Sequence, residues 1–241
     1  MLNTVLLDLD GTLLPMAQED FIEAYFQELA KKFVSIGLNA EKSTLAVWSG
    51  TKAMLKNDGT LSNSKRFWDE FASFYGGVAD KLAYIEAETD HFYVNEFNLI
   101  KHVVSPTNLP LKLVSILKDK GYTVVLATNP LFPPQALESR LSWIGLTLED
   151  FSLYTDYHNS RFCKPSPGYY QDIFAALKVQ PEQCLMVGNT VVEDMSASQL
   201  GCCTFLITDY LENPEGADYS SYQQGTFSDF TSWAEQLPHI K

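Results

Sequence analysis

Hydrophobic positions between residues 20 and 97 recur every three or four residues. The clearest runs are Phe21, Ala24, Tyr25, Leu29 and Phe33, and then Phe67, Phe71, Phe74 and Tyr75. Such spacing places the apolar side chains on one face of a helix. Pro15, just ahead of this region, is the sole proline before residue 106. The pattern predicts an aromatic-rich helical block without strands, whose aromatic face forms the block's own core.

From residue 105 the pattern changes to short β-branched runs that alternate with amphipathic stretches. We predict strands over residues 122–127, 152–155, 184–187 and 203–207, and helices over 110–120, 135–144, 169–177, 193–200 and 230–237. Gly121, Gly145 and Gly201 follow predicted helices and are typical C-terminal signals. The polar stretch 213–225 is predicted to be a loop. Alternating strands and helices predict a parallel sheet covered by helices on both faces.

The first apolar run, residues 5–7, leads into Asp8, Leu9, Asp10, Gly11 and Thr12. If this strand ends near Asp8, that carboxylate lies at the carboxyl edge of the sheet, where ligands bind in open α/β folds. Asp10 then returns on the following loop, and Gly11 permits the backbone angles of a tight exit. The pair predicts a metal and nucleophile site. The alternative is a surface turn in which both carboxylates cap the next element.

The helical block follows the first strand directly, and this position predicts the domain organisation. We expect an α/β core made of residues 1–15 and 101–241. Residues 16–100 are then an inserted, all-helical cap domain, of the kind that acts as a lid over a site.

The 241-residue chain has a formal net charge of −13 and a pI near 4.6. This acidity argues against nucleic acid or an anionic membrane as the main partner. An anionic substrate would need a local positive centre, such as a metal ion or a few lysines. No stretch approaches 18 apolar residues and no basic start precedes an apolar run, so we expect a soluble, cytoplasmic protein.

The cysteines and histidines indicate no second kind of site. Cys163, Cys184, Cys202 and Cys203 fit no zinc pattern, and the four histidines lack ligand spacing. We therefore expect buried, reduced thiols, which suit a cytosolic protein.

Polar residues follow four predicted strands at the same topological position. They are Asp8 and Asp10, then Thr128 and Asn129, then Lys164 in the 161–164 loop, and finally the segment 189–194. Each set has a structural explanation by itself, since a threonine after a strand is usually a cap and a lysine beside a proline is usually solvated. The carboxyl ends of parallel strands share one edge, so the four sets together predict an active site.

These residue types suit phosphoryl transfer to a carboxylate. Asp8 fits the nucleophile, and Asp10 can protonate the leaving oxygen and later activate the water that cleaves the aspartyl-phosphate. Thr128 can donate a hydrogen bond to a phosphoryl oxygen, and Lys164 supplies positive charge to nucleophile and phosphate. A divalent cation must offset the repulsion between the anions, and Mg²⁺ is the default for oxygen ligands.

The four sets resemble the motifs of the haloacid dehalogenase superfamily. Asp8-Leu9-Asp10-Gly11-Thr12, Thr128-Asn129, Lys164-Pro165 and Gly188-Asn189 with Glu193-Asp194 occur in that family's order. The helical block resembles the C1-type cap of subfamily I. The resemblance implies a Rossmann-like parallel core with a mobile helical cap that closes over a small phosphorylated substrate. It also implies Mg²⁺ held by the Asp8 carboxylate, the Asp10 backbone carbonyl and an acid of the fourth motif. The substrate contacts it implies come from Thr12, Thr128, Asn129 and Lys164.

One position departs from the family pattern. An acid usually follows the glycine that ends the fourth strand, but Asn189 and then Thr190 stand here. An amide oxygen can ligate Mg²⁺ but brings no charge. We predict a metal set of Asp8, Asp10, Asn189 and Asp194, with Thr190 and Glu193 as open alternatives. Glu193 and Asp194 also fit the first turn of a helix, where acids complement the dipole.

The Asp10 position favours a phosphate ester, because dehalogenases that resemble this pattern lack an acid there. We expect an Mg²⁺-dependent phosphatase of a small phosphorylated metabolite, monomeric or homodimeric, that works through an aspartyl-phosphate on Asp8. One alternative is a phosphomutase or phosphonatase of the same cap class. Another, motivated by Asn189, is a catalytically weak member that binds a phosphorylated ligand or protein partner.

Several further residues have both functional and structural interpretations. Lys52 and Lys56, one helical turn apart, can provide a Schiff-base lysine, bind a substrate anion, or form a solvated face. Arg66 and Arg161 are similar cases. Trp48 can line the site or belong to the cap core.

Overall fold

The computed structural model describes residues 1–240. Within them, six parallel strands form a sheet: β1 (Thr4–Leu7), β2 (Thr123–Leu126), β3 (Leu153–Tyr154), β4 (Cys184–Gly188), β5 (Cys203–Ile207) and β6 (Gln223–Gly225). Their order across the sheet is β3-β2-β1-β4-β5-β6. This order needs crossover connections between parallel neighbours and confirms the predicted α/β, Rossmann-like fold.

The three central strands end level with one another. β1 pairs with β2 on one side and with β4 on the other, so Leu7 stands opposite both Leu126 and Val187. All four residues of β1 are buried, as expected for a parallel sheet covered on both faces. The side chains that follow these strands therefore emerge beside one another at the carboxyl edge.

The helices divide into two groups along the chain. Between β1 and β2 lie α1 (Gln18–Ser35), α2 (Ala40–Leu55), α3 (Asn63–Tyr75) and α4 (Leu82–Val94), which we call the helical insertion. The sheet is covered by α5 (Leu109–Asp119), α6 (Pro134–Trp143), α7 (Pro167–Leu177) and α8 (Phe227–Ala234). Short 3₁₀ helices at Ala79–Lys81 and Glu96–Val103 complete the insertion.

The aromatic face of α1 is buried, as its spacing predicts. Phe21, Tyr25, Leu29 and Phe33 all lie on that face, and Tyr25 packs edge-on against Phe97 with ring centroids 6.0 Å apart. The same face also borders a cavity above the sheet edge. It therefore serves as more than the insertion's own core.

Three predicted elements differ from the structure. The stretch 213–225 ends in β6, whose polar residues pair through the backbone at the sheet edge, where no apolar pattern is required. The segment 193–200 contains a 3₁₀ helix, Met195–Leu200. Helix α8 begins at Phe227, earlier than predicted, because Thr226 and Asp229 form a capping box.

Cys163, Cys184 and Cys202 are buried free thiols, whereas Cys203 is free but exposed. The expectation of burial is wrong for Cys203, because it begins β5 at the margin of the sheet. None of the described helices combines the length and the apolar character that a bilayer crossing requires.

Candidate active site

Asp8 lies directly beyond the end of β1. Its backbone N–H donates to the Val187 carbonyl of β4 at 2.9 Å, so strand pairing carries the carboxylate to the carboxyl edge of the sheet. The residue is buried, with 7 % of its surface exposed. It lies where the sequence places it, and its chemical role stays a prediction.

Lys164 joins Asp8 to Asp194. Its Nζ donates to Asp8 Oδ1 at 2.8 Å and to Asp194 Oδ1 at 2.7 Å. Burial opposes the charge of this lysine, but the carboxylates of Asp194 and Asp8 together outweigh it and hold the pKa of Lys164 well above its ordinary value. The lysine is therefore a fixed positive charge beside the candidate nucleophile.

Asp10, on the loop after β1, is held by Arg140 of α6. Arg140 Nη1 donates to Asp10 Oδ2 at 2.5 Å, and the fully buried guanidinium lies 4.5 Å from the centroid of the Phe132 ring. Asp10 Oδ1 is buried without a hydrogen-bond partner among the described residues. Burial raises the pKa of Asp10 even though Arg140 lowers it. A raised pKa suits a group that delivers a proton near neutral pH.

Thr128 and Asn129 follow β2 and tie several strand ends together. The Thr128 carbonyl accepts hydrogen bonds from Thr155 Oγ1 at 2.7 Å and from the Tyr169 hydroxyl at 2.9 Å. Asn129 Oδ1 accepts from the Lys164 backbone N–H at 3.2 Å. Both Thr128 and Asn129 face the cavity. Hydrogen bonds therefore fix the backbone of Thr128 and the side chain of Asn129 at the edge of the cavity.

The Asn189 side chain bonds to protein groups other than Asp8 and does not line the cavity. Its Oδ1 accepts from Thr12 Oγ1 at 3.1 Å and its Nδ2 donates to the Tyr210 carbonyl at 2.6 Å. Thr12, predicted to contact substrate, bonds to Asn189 and does not line the cavity. Asp194, the other fourth-motif residue of the predicted metal set, also has both oxygens engaged, one by Lys164 and one by the Thr190 N–H at 3.0 Å.

Glu193 and Glu212 bring two further carboxyl groups to the cavity. Glu193 Oε2 accepts from Asn129 Nδ2 at 2.9 Å. Burial is the largest cause that raises the pKa of both glutamates, and with the charges of neighbouring carboxylates, Asp8 among them, each pKa lies at about 7. The polar end of the cavity is therefore acidic.

Sequence reasoning missed Arg140 and Glu212. Arg140 stands on the same helical face as the buried Ala136, Leu137 and Leu141, and a cation on an apolar face is a signal of a buried ion pair. Glu212 lies shortly after the fifth strand, at the same sheet edge as the other candidates. Strand-end reasoning extended to that strand would have included it.

The cavity itself has a volume of about 290 Å³ and lies between the sheet edge and the helical insertion. Its polar end is formed by Asp8, Asp10, Thr128, Asn129, Glu193 and Glu212. Aromatic and aliphatic side chains of α1, α2 and α3 form the other end. No lysine or arginine stands among the described residues that line it.

The basic residues with both functional and structural interpretations lie outside this cavity. Lys52 and Lys56 are exposed. Arg66 pairs with Asp58 at 2.6 Å and Arg161 with Asp172 at 2.9 Å. Their placement favours the solvated interpretation.

A divalent metal ion such as Mg²⁺ needs several oxygen donors around one point. Within residues 1–240, no three acidic, histidine or cysteine side chains form a ready-made metal site. Asp8, Asp10 and Glu193 nevertheless line one cavity, so three carboxyl groups border the same space. Oxygen donors of this kind, completed by water, fit a hard cation such as Mg²⁺.

A known phosphatase shares sequence with this chain. The D-glycero-beta-D-manno-heptose-1,7-bisphosphate 7-phosphatase of Haemophilus ducreyi is 26 % identical over 137 residues, which cover 48 % of this chain and 73 % of that protein.

Solved structures share the fold. The HAD phosphatase from Thermococcus onnurineus aligns with 99 % of this chain and 100 % of its own, at 18 % identity and a TM-score of 0.60. The L-2-haloacid dehalogenase from Xanthobacter autotrophicus aligns with 98 % of this chain and 100 % of its own, at 13 % identity and a TM-score of 0.57. Identities this low show the fold alone.

The family is shown by sequence. A model for haloacid dehalogenase-like hydrolases matches residues 2–201, which is most of the chain. The match contains all four motifs that the sequence places at strand ends, and it confirms the resemblance they indicated. The chain belongs to the haloacid dehalogenase-like hydrolase family.

Proposed function

We propose that this hydrolase is a phosphatase that cleaves a small phosphorylated metabolite through an aspartyl-phosphate on Asp8. One observation carries the proposal: Asp8 and Asp10 face the same cavity, with Lys164 bonded to the first and Arg140 to the second. The similarity to a bisphosphate phosphatase supports the same reaction class.

In the first step a carboxylate oxygen of Asp8 attacks the phosphorus atom. A new oxygen–phosphorus bond forms and the ester bond breaks, so its electron pair passes to the alcohol oxygen. Asp10 donates a proton to that oxygen and releases a neutral alcohol. Oδ1 of Asp10 is buried and bonds to no protein donor, so we assign the transferred proton to it, while Oδ2 is held by Arg140.

In the second step water attacks the same phosphorus atom. Asp10, now ionised, takes a proton from the water, and the bond between phosphorus and Asp8 breaks. The electron pair returns to the Asp8 carboxylate, and inorganic phosphate leaves. Lys164 faces the carboxylate throughout and stabilises its negative charge.

The phosphoryl oxygens need donors that are already in place. The Thr128 hydroxyl faces the cavity on a backbone fixed by Thr155 and Tyr169. We assign it to a phosphoryl oxygen, because donors fixed before the reaction need no reorganisation.

We propose that Mg²⁺ is the metal. The Asp8 carboxylate and the Asp10 backbone carbonyl would hold it, and Glu193 is the fourth-motif acid that faces the cavity. The ion supplies positive charge that offsets the repulsion between Asp8 and the phosphoryl group. The predicted ligands Asn189 and Asp194 are engaged by protein donors, so in this proposal they position neighbouring groups.

Residues 16–100 are proposed to act as a cap over the substrate, since the cavity lies between this segment and the sheet edge. We also propose that the protein works in the cytoplasm, because its four free thiols suit a reducing compartment. Lys52 and Lys56 are exposed outside the cavity, which gives the phosphonatase alternative no support.

The test is release of inorganic phosphate from 4-nitrophenyl phosphate and from a panel of phosphorylated metabolites. Each reaction is run with Mg²⁺ and with a chelator. Asp8→Asn should lower turnover by at least about a thousandfold, because an amide cannot form the acyl phosphate. Wild-type turnover in that variant would overturn the proposal.

The alternative of a weak, ligand-binding member has its own test. Asn189→Asp restores the acid that the family usually places there. A sharp rise in turnover with this variant would favour a metal site that is weakened in the native chain, whereas unchanged or lower turnover favours the phosphatase as it stands.

A further inference from the structure

The cavity has an acidic end at the sheet edge and an apolar end under the helical insertion. We infer that the substrate is the phosphate monoester of an uncharged, apolar alcohol with an aromatic or aliphatic organic part. Sugar phosphates and bisphosphates are then poor substrates. This inference rests on the phosphatase activity proposed above.

The apolar end is formed by side chains of α1, α2 and α3. Those that face it include Phe21, Phe26, Leu29, Val47, Trp48 and Phe67. Trp48 stacks on Phe26 with ring centroids 5.0 Å apart, so the two rings pack together as part of an apolar wall. A wall of this kind gains free energy by removing apolar ligand surface from water.

Apart from the exposed Gln18 at the start of α1, the polar side chains at this end already bond to the protein. The hydroxyls of Tyr25 and Tyr93 bond to each other at 2.8 Å. Thr51 Oγ1 donates to the Val47 carbonyl at 2.9 Å, and Thr89 Oγ1 donates to a carbonyl of its own helix. The hydroxyl groups of a sugar would therefore lose water here and gain few partners, which costs free energy.

The charges around the cavity also favour an uncharged alcohol. The charged side chains among the described lining residues are Asp8, Asp10, Glu193 and Glu212, all of them acidic. A second phosphate on the substrate would require an arginine or a lysine at the far end of the cavity. The described lining residues provide neither.

The volume of the cavity limits the size of the alcohol that can bind. The cavity volume of about 290 Å³ lies near the lower end of the range for small-molecule sites. That leaves room for a phosphoryl group and an organic group about as large as one aromatic ring or a six-carbon chain.

The test compares substrates whose leaving groups are all primary alcohols. We would measure kcat/KM for n-hexyl phosphate, 2-phenylethyl phosphate, glucose 6-phosphate and hexane-1,6-diol bisphosphate. The hexyl compound and the diol bisphosphate differ only in the second phosphate. Because unpaired polar groups are rejected more strongly than a missing methylene, we expect the two apolar esters to exceed the other two by about 100-fold or more. 4-Nitrophenyl phosphate reports the chemistry, because its activated leaving group departs readily, and it stays outside the comparison of alcohols.

Thr51→Arg provides a matched change in the wall. Thr51 is half-buried and faces the cavity from α2, so an arginine there brings a cation to the apolar end. We expect it to lower kcat/KM for n-hexyl phosphate by about tenfold and to raise that for the diol bisphosphate. Leu45→Arg is the control, because Leu45 is exposed on the same helix and lies outside the cavity.

The outcomes separate the inference from the proposed function. Asp8-dependent turnover of 4-nitrophenyl phosphate with equal or better use of glucose 6-phosphate or the bisphosphate overturns the inference and leaves the phosphatase intact. Loss of Asp8-dependent turnover on every compound overturns both. If Thr51→Arg fails to fold, the wild-type comparison alone decides.

Discussion

Arg140 Nη1 and Asp10 Oδ2 lie 2.5 Å apart, although 130 positions separate them in the chain. Arg140 is fully buried, whereas Asp10 keeps 21 % of its side chain exposed. The pair is therefore asymmetric. An arginine cannot lose its charge, but an aspartate can take up a proton when its partner is removed.

This asymmetry predicts unequal effects on stability. Asp10→Ala leaves the buried guanidinium of Arg140 without its carboxylate partner and should lower the free energy of unfolding by about 3–5 kcal/mol. Arg140→Met leaves an aspartate that can become neutral, so its cost should be smaller, about 1–3 kcal/mol. The double variant should cost less than the sum. Urea unfolding of the four proteins gives the values.

The control for this cycle is Arg66→Met, since Arg66 pairs with Asp58 at the surface. It should change the free energy of unfolding by no more than about 0.5 kcal/mol. Equal costs for Asp10→Ala and Arg140→Met would contradict the asymmetry.

Lys164 holds two carboxylates that would otherwise repel each other. Lys164→Met should reduce turnover by about a hundredfold or more, because the nucleophile loses its positive neighbour. It should also destabilise the fold by about 3–5 kcal/mol. Adding Asp194→Asn should recover stability but not turnover. The control is Lys65→Met, which removes an exposed ion pair with Asp69. Recovery of both stability and turnover in the double variant would contradict the role assigned to Lys164.

The raised pKa of Glu212 predicts that the stability of the protein, measured in the presence of a chelator, depends on pH. Burial and the charge of Asp8 raise its pKa from 4.5 to about 7 on folding. Between those values the folded state holds a proton that the unfolded state has released, so stability falls as the pH rises through this window. The Glu212→Gln variant carries a neutral side chain here, so it should not lose this stability as the pH rises.

We therefore expect Glu212→Gln to melt at a higher temperature than the wild type at about pH 8 and at the same temperature near pH 4. Thermal unfolding at both pH values measures the difference. Glu182→Gln, at an exposed glutamate, should show no pH-dependent difference. A gain that is equal at both pH values would contradict the titration of Glu212.

The proposed metal site predicts a binding effect that does not depend on turnover. Mg²⁺ should raise the stability of the wild type by about 2.7 kcal/mol at 100 times its Kd. Glu193→Gln should weaken Mg²⁺ binding by about tenfold or more, measured by calorimetry, because the site loses a carboxylate. Glu182→Gln again serves as the control, and unchanged affinity in Glu193→Gln would remove Glu193 from the metal site.

The sequence alone determined five of the six described strands, most of the helices and the strand ends that carry the candidate residues. These features depend on local periodicity and on turn residues, which each segment contains in itself. For that reason Asp8, Asp10, Thr128 and Lys164 could be placed at one edge of the sheet before the fold was known. The edge strand β6 was missed because backbone pairing, with no apolar pattern, forms it.

The tertiary structure decided which way the side chains turn. Asn189 bonds to Thr12 and Tyr210, while Arg140 reaches Asp10 from a distant helix. Such contacts join residues far apart in the chain, and no local pattern encodes them. The apolar end of the cavity has the same origin, because spacing marks an aromatic face as buried but does not show whether it packs on protein or borders a space for substrate.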